Sequence, residues 1–161
     1  MTDQSPAVFV AHPPEAMLRA INPALRVLLR TPIMGPMRKA MMVLSFTGRK
    51  SGRRYSVPVS AHQLDGELYA LAGAAWRLNF RGGAAAEVLH DGKTKTMQGE
   101  LIEDPTTVGE LSRRVAEGYG VKVAQRMMGL KFRDQRIPTT EEFVEAARTN
   151  HIGAVRLTTT T

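Results

Sequence analysis

The chain contains no cysteine and only one tryptophan among its 161 residues. Without cysteine it can form no disulfide and offers no thiolate as a nucleophile or a metal ligand, which suits a reducing cytosol. No run of roughly 18 apolar residues occurs, so the sequence predicts no membrane-spanning helix. The N-terminus lacks the basic start, apolar centre and small-residue cleavage site of a secretory signal. We therefore expect a cytoplasmic location.

Patterns for metal binding and for hydrolysis are also missing. The histidines are scattered and form no H-x-x-x-H or H-E-x-x-H pair, so no metal site is predicted and structural roles are favoured for His12, His62, His90 and His151. Neither Ser51 nor Ser56 lies in the G-x-S-x-G pattern of a nucleophile elbow. Hydrolase chemistry therefore has little support.

The 22 lysine and arginine residues outnumber the 15 aspartate and glutamate residues, which gives a formal net charge of +7. A basic protein favours anionic partners such as nucleic acid, anionic lipid or an acidic small molecule. Because no nucleic-acid-binding motif and no aromatic residues interleaved with the basic ones are present, nucleic acid is not a predicted partner.

Hairpin signals dominate the middle of the chain. Short apolar runs are separated by the strong turn dipeptides Asp65-Gly66 and Asp91-Gly92. The predicted strands cover residues 41–46, 55–64, 67–72, 88–89, 93–102 and 154–158. Antiparallel hairpins with a few helices indicate an α+β fold whose sheet closes into a small barrel. With no repeat or long linker, we expect one domain over residues 1–161.

Helix-start signals mark the C-terminal third. Asp104 is a predicted N-cap followed by proline, opening a helix over about 105–118. A second helix is expected near Val121 to Leu130. A third runs to about Arg148 from a capping box formed by Thr139 and Glu142.

The N-terminal region combines a flexible segment with an amphipathic helix. Residues 1–13 are polar and proline-containing without periodicity, whereas residues 14–30 place leucines on one stripe and arginines largely on the other face. Pro23 should kink this helix or split it in two. It is predicted either to pack on the barrel or to attach the protein peripherally, through residues 15–30, to the anionic inner face of the cell membrane.

The most informative segment is a basic loop between two predicted strands, with the sequence Thr47-Gly48-Arg49-Lys50-Ser51-Gly52-Arg53-Arg54. Glycines let backbone N–H groups approach a ligand, and hydroxyls and cations add donors for an anion. The spacing is neither a Walker loop nor a G-x-G-x-x-G fingerprint. The loop is either a site for phosphate or polycarboxylate or a solvated basic turn.

Trp76 follows the small-residue stretch Ala72-Gly73-Ala74-Ala75. A lone tryptophan is by default a core or lid residue. The alternative is that it lies against a flat ring, with the small residues allowing the backbone to approach.

Taken in order, these motifs resemble the deazaflavin-dependent nitroreductase family, which is typical of mycobacteria and related actinobacteria. The resemblance covers about residues 15–158 and rests on Thr-Gly-Arg-Lys-Ser-Gly, Val57-Pro58-Val59, the Asp-Gly hairpin and Trp-x-x-Asn. It implies a split β-barrel, often dimeric, that uses the deazaflavin coenzyme F-420. The implied reaction is hydride transfer to an electron-poor acceptor such as a quinone or nitro compound.

The same resemblance implies roles for individual residues. The cofactor's phosphate and acidic tail would be held by Arg49, Lys50, Ser51 and Gly52. Val57 and Pro58 would lie beside the deazaflavin ring, and Ala72, Gly73 and Ala74 would contact its pyrimidine edge. Trp76 and Asn79 would close the pocket. Tyr119 is the candidate proton donor on the substrate side, with solvent as the alternative.

Two departures from the family pattern leave alternatives open. Arg54 and Tyr55 occupy positions where members of the family commonly have proline and arginine. The loop before Trp76 lacks a serine and a lysine that would help to hold the cofactor, and Arg77 or Arg81 would have to replace them. We therefore also consider a cofactor-free barrel that binds a fatty acid or another apolar anion, and an oxidoreductase that binds FMN.

Overall fold

The described chain folds into two compact units, one built on a β-sheet and one mainly of helices. The structure, a computed structural model, describes residues 6–10 and 37–160. Within that part, residues 37–70, 75–101 and 155–160 form the barrel unit, and residues 6–10, 71–74 and 102–154 form the helical unit. The single-domain organisation over residues 1–161 stays a prediction.

Fourteen segments of regular structure occur in the described residues. In chain order they are β1 (Val8–Val10), α1 (Met37–Ala40), β2 (Met41–Thr47), β3 (Arg54–Ser60), β4 (His62–Leu64), β5 (Glu67–Ala72), a 3-10 helix (Ala75–Phe80), β6 (Ala84–His90), β7 (Lys93–Ile102), α2 (Pro105–Tyr119), α3 (Val121–Met128), β8 (Leu130–Phe132), α4 (Thr140–Asn150) and β9 (Gly153–Thr159).

The main sheet has seven strands in the order β3-β2-β6-β7-β9-β5-β4. Its two edge strands, β3 and β4, are separated in sequence by Ala61 alone. Because one residue cannot span a flat seven-stranded sheet, the sheet must curl until its edges meet at Ala61. The result is a half-barrel closed at one corner, which confirms the predicted α+β, split-barrel-like fold.

The concave face of this sheet holds the core of the barrel unit. Alternate residues of β2, Met42, Leu44 and Phe46, are at most 1% exposed, as expected when every second side chain points to the same face. They pack with residues of β6, β7 and β9 and with Phe80 of the 3-10 helix. Burying each large side chain contributes about 1.5–3 kcal/mol to the free energy of unfolding.

Both predicted Asp-Gly turns are confirmed. Asp65 and Gly66 have φ of 53° and 80°, and Asp91 and Gly92 have φ of 51° and 75°. Two successive residues with positive φ match the backbone twist of hairpin strands, and aspartate followed by glycine tolerates that conformation best.

The helical unit begins its helices at the predicted caps. The Asp104 carboxylate accepts a hydrogen bond from the Thr107 backbone N–H, and Thr139 and Glu142 form the reciprocal capping box of α4. Helix α2 packs on α4, and the unit's core includes Ala116, Phe132 and Phe143.

Three expectations about elements were wrong in detail. The predicted strand over 55–64 is broken at Ala61 because the chain changes sheet edge there. The second predicted helix ends at Met128 because Gly129 takes a left-handed conformation and β8 follows. Residues 8–10, expected to be flexible, form β1, which pairs with β8 and buries Val8.

The predicted helix over 14–30, with its contact to an anionic membrane surface, lies outside the described residues. Among the residues that are described, no helix combines the length and the apolar composition needed to cross a bilayer.

Candidate functional site

The basic loop between β2 and β3 is a closed turn. The Gly48 N–H donates to the Arg53 carbonyl at 2.7 Å, and the Gly52 N–H donates to the Gly48 carbonyl at 3.0 Å. Gly52 has a φ of 69°, which glycine adopts without strain. A Cβ at Gly48 would lie 2.6 Å from the Tyr55 ring and 2.8 Å from Ser51 Oγ. Gly52 is therefore needed for its backbone conformation, and Gly48 is needed because a side chain at that position would collide with Tyr55 and Ser51.

Asn79 ties this loop to the 3-10 helix. Its side-chain oxygen accepts a hydrogen bond from the Arg49 backbone N–H at 2.8 Å, and its amide donates to the Trp76 carbonyl at 2.8 Å. Arg49 Nη1 also donates to the Leu78 carbonyl at 2.8 Å. The spacing of Trp-x-x-Asn therefore has a structural reason, since three residues along a 3-10 helix bring the amide back beside the Trp76 carbonyl.

A cavity of about 640 Å³ opens where the loop and the 3-10 helix meet. Its lining is Phe46, Gly48, Arg49, Lys50, Ser51, Tyr55, Ala75, Trp76, Leu78, Asn79 and Arg81. Three of these described residues are cations and none is acidic. We call this space the loop cavity; its charge favours an anion.

Aromatic rings form one side of the loop cavity. Phe46 is buried, and its ring stacks on Tyr55 with centroids 5.9 Å apart and planes inclined by 28°. The Trp76 ring lies 6.1 Å from Phe46, and the edge-on pair of Trp76 and Phe80 has centroids 6.2 Å apart. Such a surface can take a flat ring by stacking. Cations beside it can hold a negatively charged substituent of the same ligand.

Hydroxyl groups and a neighbouring ion pair complete the local chemistry. Ser51 Oγ and the Tyr55 hydroxyl are 3.1 Å apart, and Ser51 Oγ also accepts from the Arg53 backbone N–H. Arg54 lies 3.4 Å from the Glu87 carboxylate, so that cation is paired on β6. The positive charge of the cavity lining therefore comes from Arg49, Lys50 and Arg81.

The structure brings together five of the predicted site residues, since Arg49, Lys50, Ser51, Trp76 and Asn79 all line the loop cavity. Gly52 belongs to the same turn without being a lining residue. Val57 and Pro58 lie on β3, where Val57 packs against the barrel core. Neither is among the described residues that line the cavity.

The remaining predicted residues belong to the helical unit. Ala72 ends β5, and Gly73 and Ala74 follow it; a Cβ at Gly73 would lie 3.0 Å from the Asn150 carbonyl oxygen. Tyr119 is the last residue of α2 and packs against that unit's core. Burial raises the pKa of the Tyr119 hydroxyl, so it stays protonated at neutral pH. Its role as a proton donor stays a prediction.

Sequence reasoning missed Phe46 and Tyr55 as parts of the cavity wall. They are cross-strand partners at the loop end of the hairpin formed by β2 and β3. That register was the available signal, because residues directly opposite each other in a hairpin share one face of the sheet.

The described histidines show no arrangement for metal binding, and His12 lies outside the described residues. His62 is buried on β4, and burial lowers its pKa to about 4, while His90 Nε2 lies 2.8 Å from the Lys39 carbonyl oxygen. Within residues 6–10 and 37–160 there is no group of three or more histidine, aspartate or glutamate side chains that could hold a metal ion.

Comparisons with known proteins concern the fold. The sequence matches no protein-family model and no curated protein. Among solved structures, a conserved hypothetical protein from Mycobacterium tuberculosis, Rv2991, is 17% identical with a TM-score of 0.47, covering 99% of this chain and 87% of its own. A chain described as a domain-swapped dimer is 16% identical with a TM-score of 0.45, covering 90% of this chain and 99% of its own.

A third similar structure is a candidate 5-nitroimidazole antibiotic resistance protein from Bacteroides thetaiotaomicron. It is 11% identical with a TM-score of 0.42, and the alignment covers 100% of this chain and 92% of that one. At these identities and scores the three structures carry no argument about chemistry. The interpretation of the loop cavity rests on its own residues.

Proposed function

We propose that this protein is an oxidoreductase that binds the deazaflavin coenzyme F-420 in the loop cavity and passes hydride to an electron-poor acceptor such as a quinone or nitro compound. The observation that carries the proposal is the combination of an aromatic wall with cations and no acidic lining residue among those described. A deazaflavin cofactor has matching parts, a flat ring and an acidic tail. The residues present therefore fit the group.

Each side of the loop cavity has a separate task in this proposal. Tyr55 and Trp76 would flank the ring system and exclude water from it, supported from below by buried Phe46. Lys50 and the remaining donors of Arg49 would hold the phosphate and the carboxylates of the tail, with Ser51 adding a hydroxyl. When bound, the cofactor supplies the hydride, and the protein supplies position and electrostatics.

Arg49 also has a structural task that separates it from Lys50. Its guanidinium donates to the Leu78 carbonyl, and its backbone N–H donates to Asn79. Removing the Arg49 side chain would loosen the attachment of the loop as well as remove a charge. Lys50 is exposed and makes no such bond among the described residues, so it reports on anion binding alone.

The test is equilibrium binding of coenzyme F-420 to the full chain and to Lys50→Ala. We expect the substitution to weaken binding by about tenfold, since it removes one charge-assisted contact. Lys131→Ala is the matched control, because Lys131 is an exposed lysine on β8 of the helical unit, and its affinity should equal that of the unmodified protein. Equal affinity in all three proteins would mean that the loop is a solvated turn.

Two further ligands distinguish the alternatives in the same assay. FMN has a similar ring and a single phosphate, and binding of FMN without binding of coenzyme F-420 would support an FMN enzyme instead. Binding of a fatty acid with neither cofactor would support a barrel that carries an apolar anion.

A further inference from the structure

We propose that the helical unit carries a surface that attaches the protein peripherally to an anionic phospholipid bilayer. Helix α3 and the outward face of the ribbon formed by β1 and β8 make up this surface. Its exposed side chains are Phe9, Lys122, Arg126 and Lys131. We call it the basic face. The described lining of the loop cavity belongs to the other unit, so this proposal does not rest on the proposed function.

Helix α3 lies along one edge of β8. The Arg133 N–H donates to the Ala7 carbonyl of the neighbouring segment at 2.9 Å, so the alternation of an antiparallel pair turns the Phe132 N–H away from β1. That N–H donates instead to the Gln125 side-chain oxygen at 2.8 Å, and the Gln125 amide donates to the Val121 carbonyl at 3.2 Å. The order across the surface is therefore β1, β8 and α3.

One apolar core lies beneath all three elements. Val8 of β1, Leu130 of β8 and Ala124 of α3 belong to the same buried cluster, and each is at most 8% exposed. Phe9 and Lys131 are direct partners in the ribbon, each next to one of these inward-facing residues. Because successive side chains of a strand alternate between its two faces, Phe9 and Lys131 point away from the core.

The outward side of α3 carries two cations. Successive residues of an α-helix are turned by about 100° around its axis, so Lys122 and Arg126, four positions apart, share one side of the helix. Ala124, which lies between them in sequence, is turned about 160° from each by the same geometry and points into the core. Since α3 and the ribbon lie side by side over that core, their outward sides form one continuous face.

No acidic residue of the described chain offsets the cations within these elements. Residues 118–133 contain no aspartate or glutamate. The acidic residues that flank this stretch are paired with other cations, Glu117 with Arg113 at 2.7 Å and Asp134 with Arg133 at 3.1 Å. Among the described residues, the three cations of the basic face have no ion-pair partner. The face therefore favours an anionic partner.

Apolar side chains beside the cations favour a lipid surface as that partner. Phe9 is 37% exposed, and half-buried Val123 is turned by only about 60° from Arg126 on α3. Cations attract anionic head groups, and an exposed phenylalanine can enter the boundary between head groups and acyl chains. A DNA duplex would use the charge alone, because its outer surface is a row of phosphates.

The experiment measures how the full chain partitions between water and lipid vesicles. We expect binding to vesicles of equal parts phosphatidylcholine and phosphatidylglycerol, little binding to phosphatidylcholine alone, and weaker binding at higher salt because exposed charge is screened. The triple substitution Lys122→Gln, Arg126→Gln and Lys131→Gln should weaken binding by about a hundredfold, since each cation near an anionic surface contributes about fivefold.

A matched variant removes the same charge from the barrel unit. Lys39, Lys93 and Lys95 are exposed lysines of that unit, and replacing all three by glutamine lowers the net charge by the same amount. This variant should bind anionic vesicles nearly as tightly as the full chain. The comparison separates the basic face from the overall charge of the protein.

A second measurement follows Phe9 directly. The double substitution Phe9→Trp and Trp76→Phe leaves one tryptophan, on the basic face. Phospholipids brominated along their acyl chains quench the emission of a tryptophan that reaches them. We expect quenching when this variant binds anionic vesicles that contain such lipids, and none with the same lipids under conditions of high salt that release the protein.

Any of four results would overturn the proposal. The triple glutamine variant of the basic face could bind anionic vesicles as tightly as the full chain. The matched variant of the barrel unit could lose as much affinity. The tryptophan that replaces Phe9 could stay unquenched while the protein is bound. The full chain could bind a DNA duplex or polyglutamate and not the vesicles, which would assign the basic face to another class of partner.

Discussion

At the scale of single residues, Asn79 explains how the loop cavity keeps its form. One amide both accepts from the Arg49 backbone and donates to the Trp76 carbonyl. Aspartate could accept but not donate, and leucine could do neither. The basic loop and the tryptophan are therefore positioned by the same side chain, and a change at Asn79 should affect both.

Asn79→Ala tests this link. Loss of both hydrogen bonds should lower the free energy of unfolding by about 1–2 kcal/mol, since each such bond contributes about 0.5–1.5 kcal/mol net. Urea unfolding followed by circular dichroism measures the change. Because Trp76 is the only tryptophan, a shift of its emission maximum in the folded variant should accompany it.

Thr106→Ala serves as the matched substitution, because Thr106 is an exposed polar residue in the first turn of α2. It should change neither the emission maximum nor the stability by a comparable amount. A stable Asn79→Ala protein with unchanged emission would show that the loop and the 3-10 helix are held by other contacts.

At the scale of elements, helices α2 and α4 pack in close contact through a glycine. A Cβ at Gly109 would contact the Val144 side chain and lie 2.8 Å from the Val144 backbone nitrogen and 2.9 Å from its Cα. Backbone atoms of a helix cannot move aside as a flexible side chain can. The distance between these two helices therefore depends on the absence of a side chain at Gly109.

Gly109→Ala and Gly118→Ala should have opposite effects although both residues lie on α2. The first forces α4 away from α2 and should lower the free energy of unfolding by about 1–3 kcal/mol. The second meets no atom within 4 Å and should raise it by about 0.5–1 kcal/mol, because alanine favours a helix over glycine.

Thermal unfolding of the two variants beside the unmodified protein measures both effects. A loss of stability in Gly118→Ala, or none in Gly109→Ala, would contradict the described packing of α2 on α4.

At the scale of the molecule, the elements predicted best are those whose determinants lie within a few residues of each other. Asp65-Gly66 specifies its turn through the two residues that need positive φ, and Thr139 with Glu142 specifies a helix start by reciprocal hydrogen bonds. Their recognition needs no knowledge of the rest of the chain.

The features that the sequence did not reveal depend on contacts between distant segments. Strand β1 exists because residues 8–10 pair with residues 130–132, and nothing near Val8 indicates that partner. Likewise, the hydrogen bond that the Arg49 N–H donates to the Asn79 side-chain oxygen joins residues 30 positions apart. The Trp-x-x-Asn spacing is visible in the sequence, but the two hydrogen bonds of Asn79 that explain it are visible only in the folded structure.

The predicted homodimer, peripheral membrane attachment and coenzyme F-420 dependence all stay predictions at this scale. Dependence on coenzyme F-420 should be tested first, because the proposed activity requires the cofactor. The described residues that line the loop cavity also all belong to one unit, the barrel unit. Trp76 makes the cofactor directly testable, since the single tryptophan lines that cavity.

The most direct measurement is therefore a titration of the full chain with coenzyme F-420, following Trp76 fluorescence. We expect saturable quenching, with the titration shifted to higher cofactor concentration in Lys50→Ala and unshifted in Lys131→Ala. Trp76 emission that shows no saturable change in the folded protein would contradict the proposal that the loop cavity binds the deazaflavin ring.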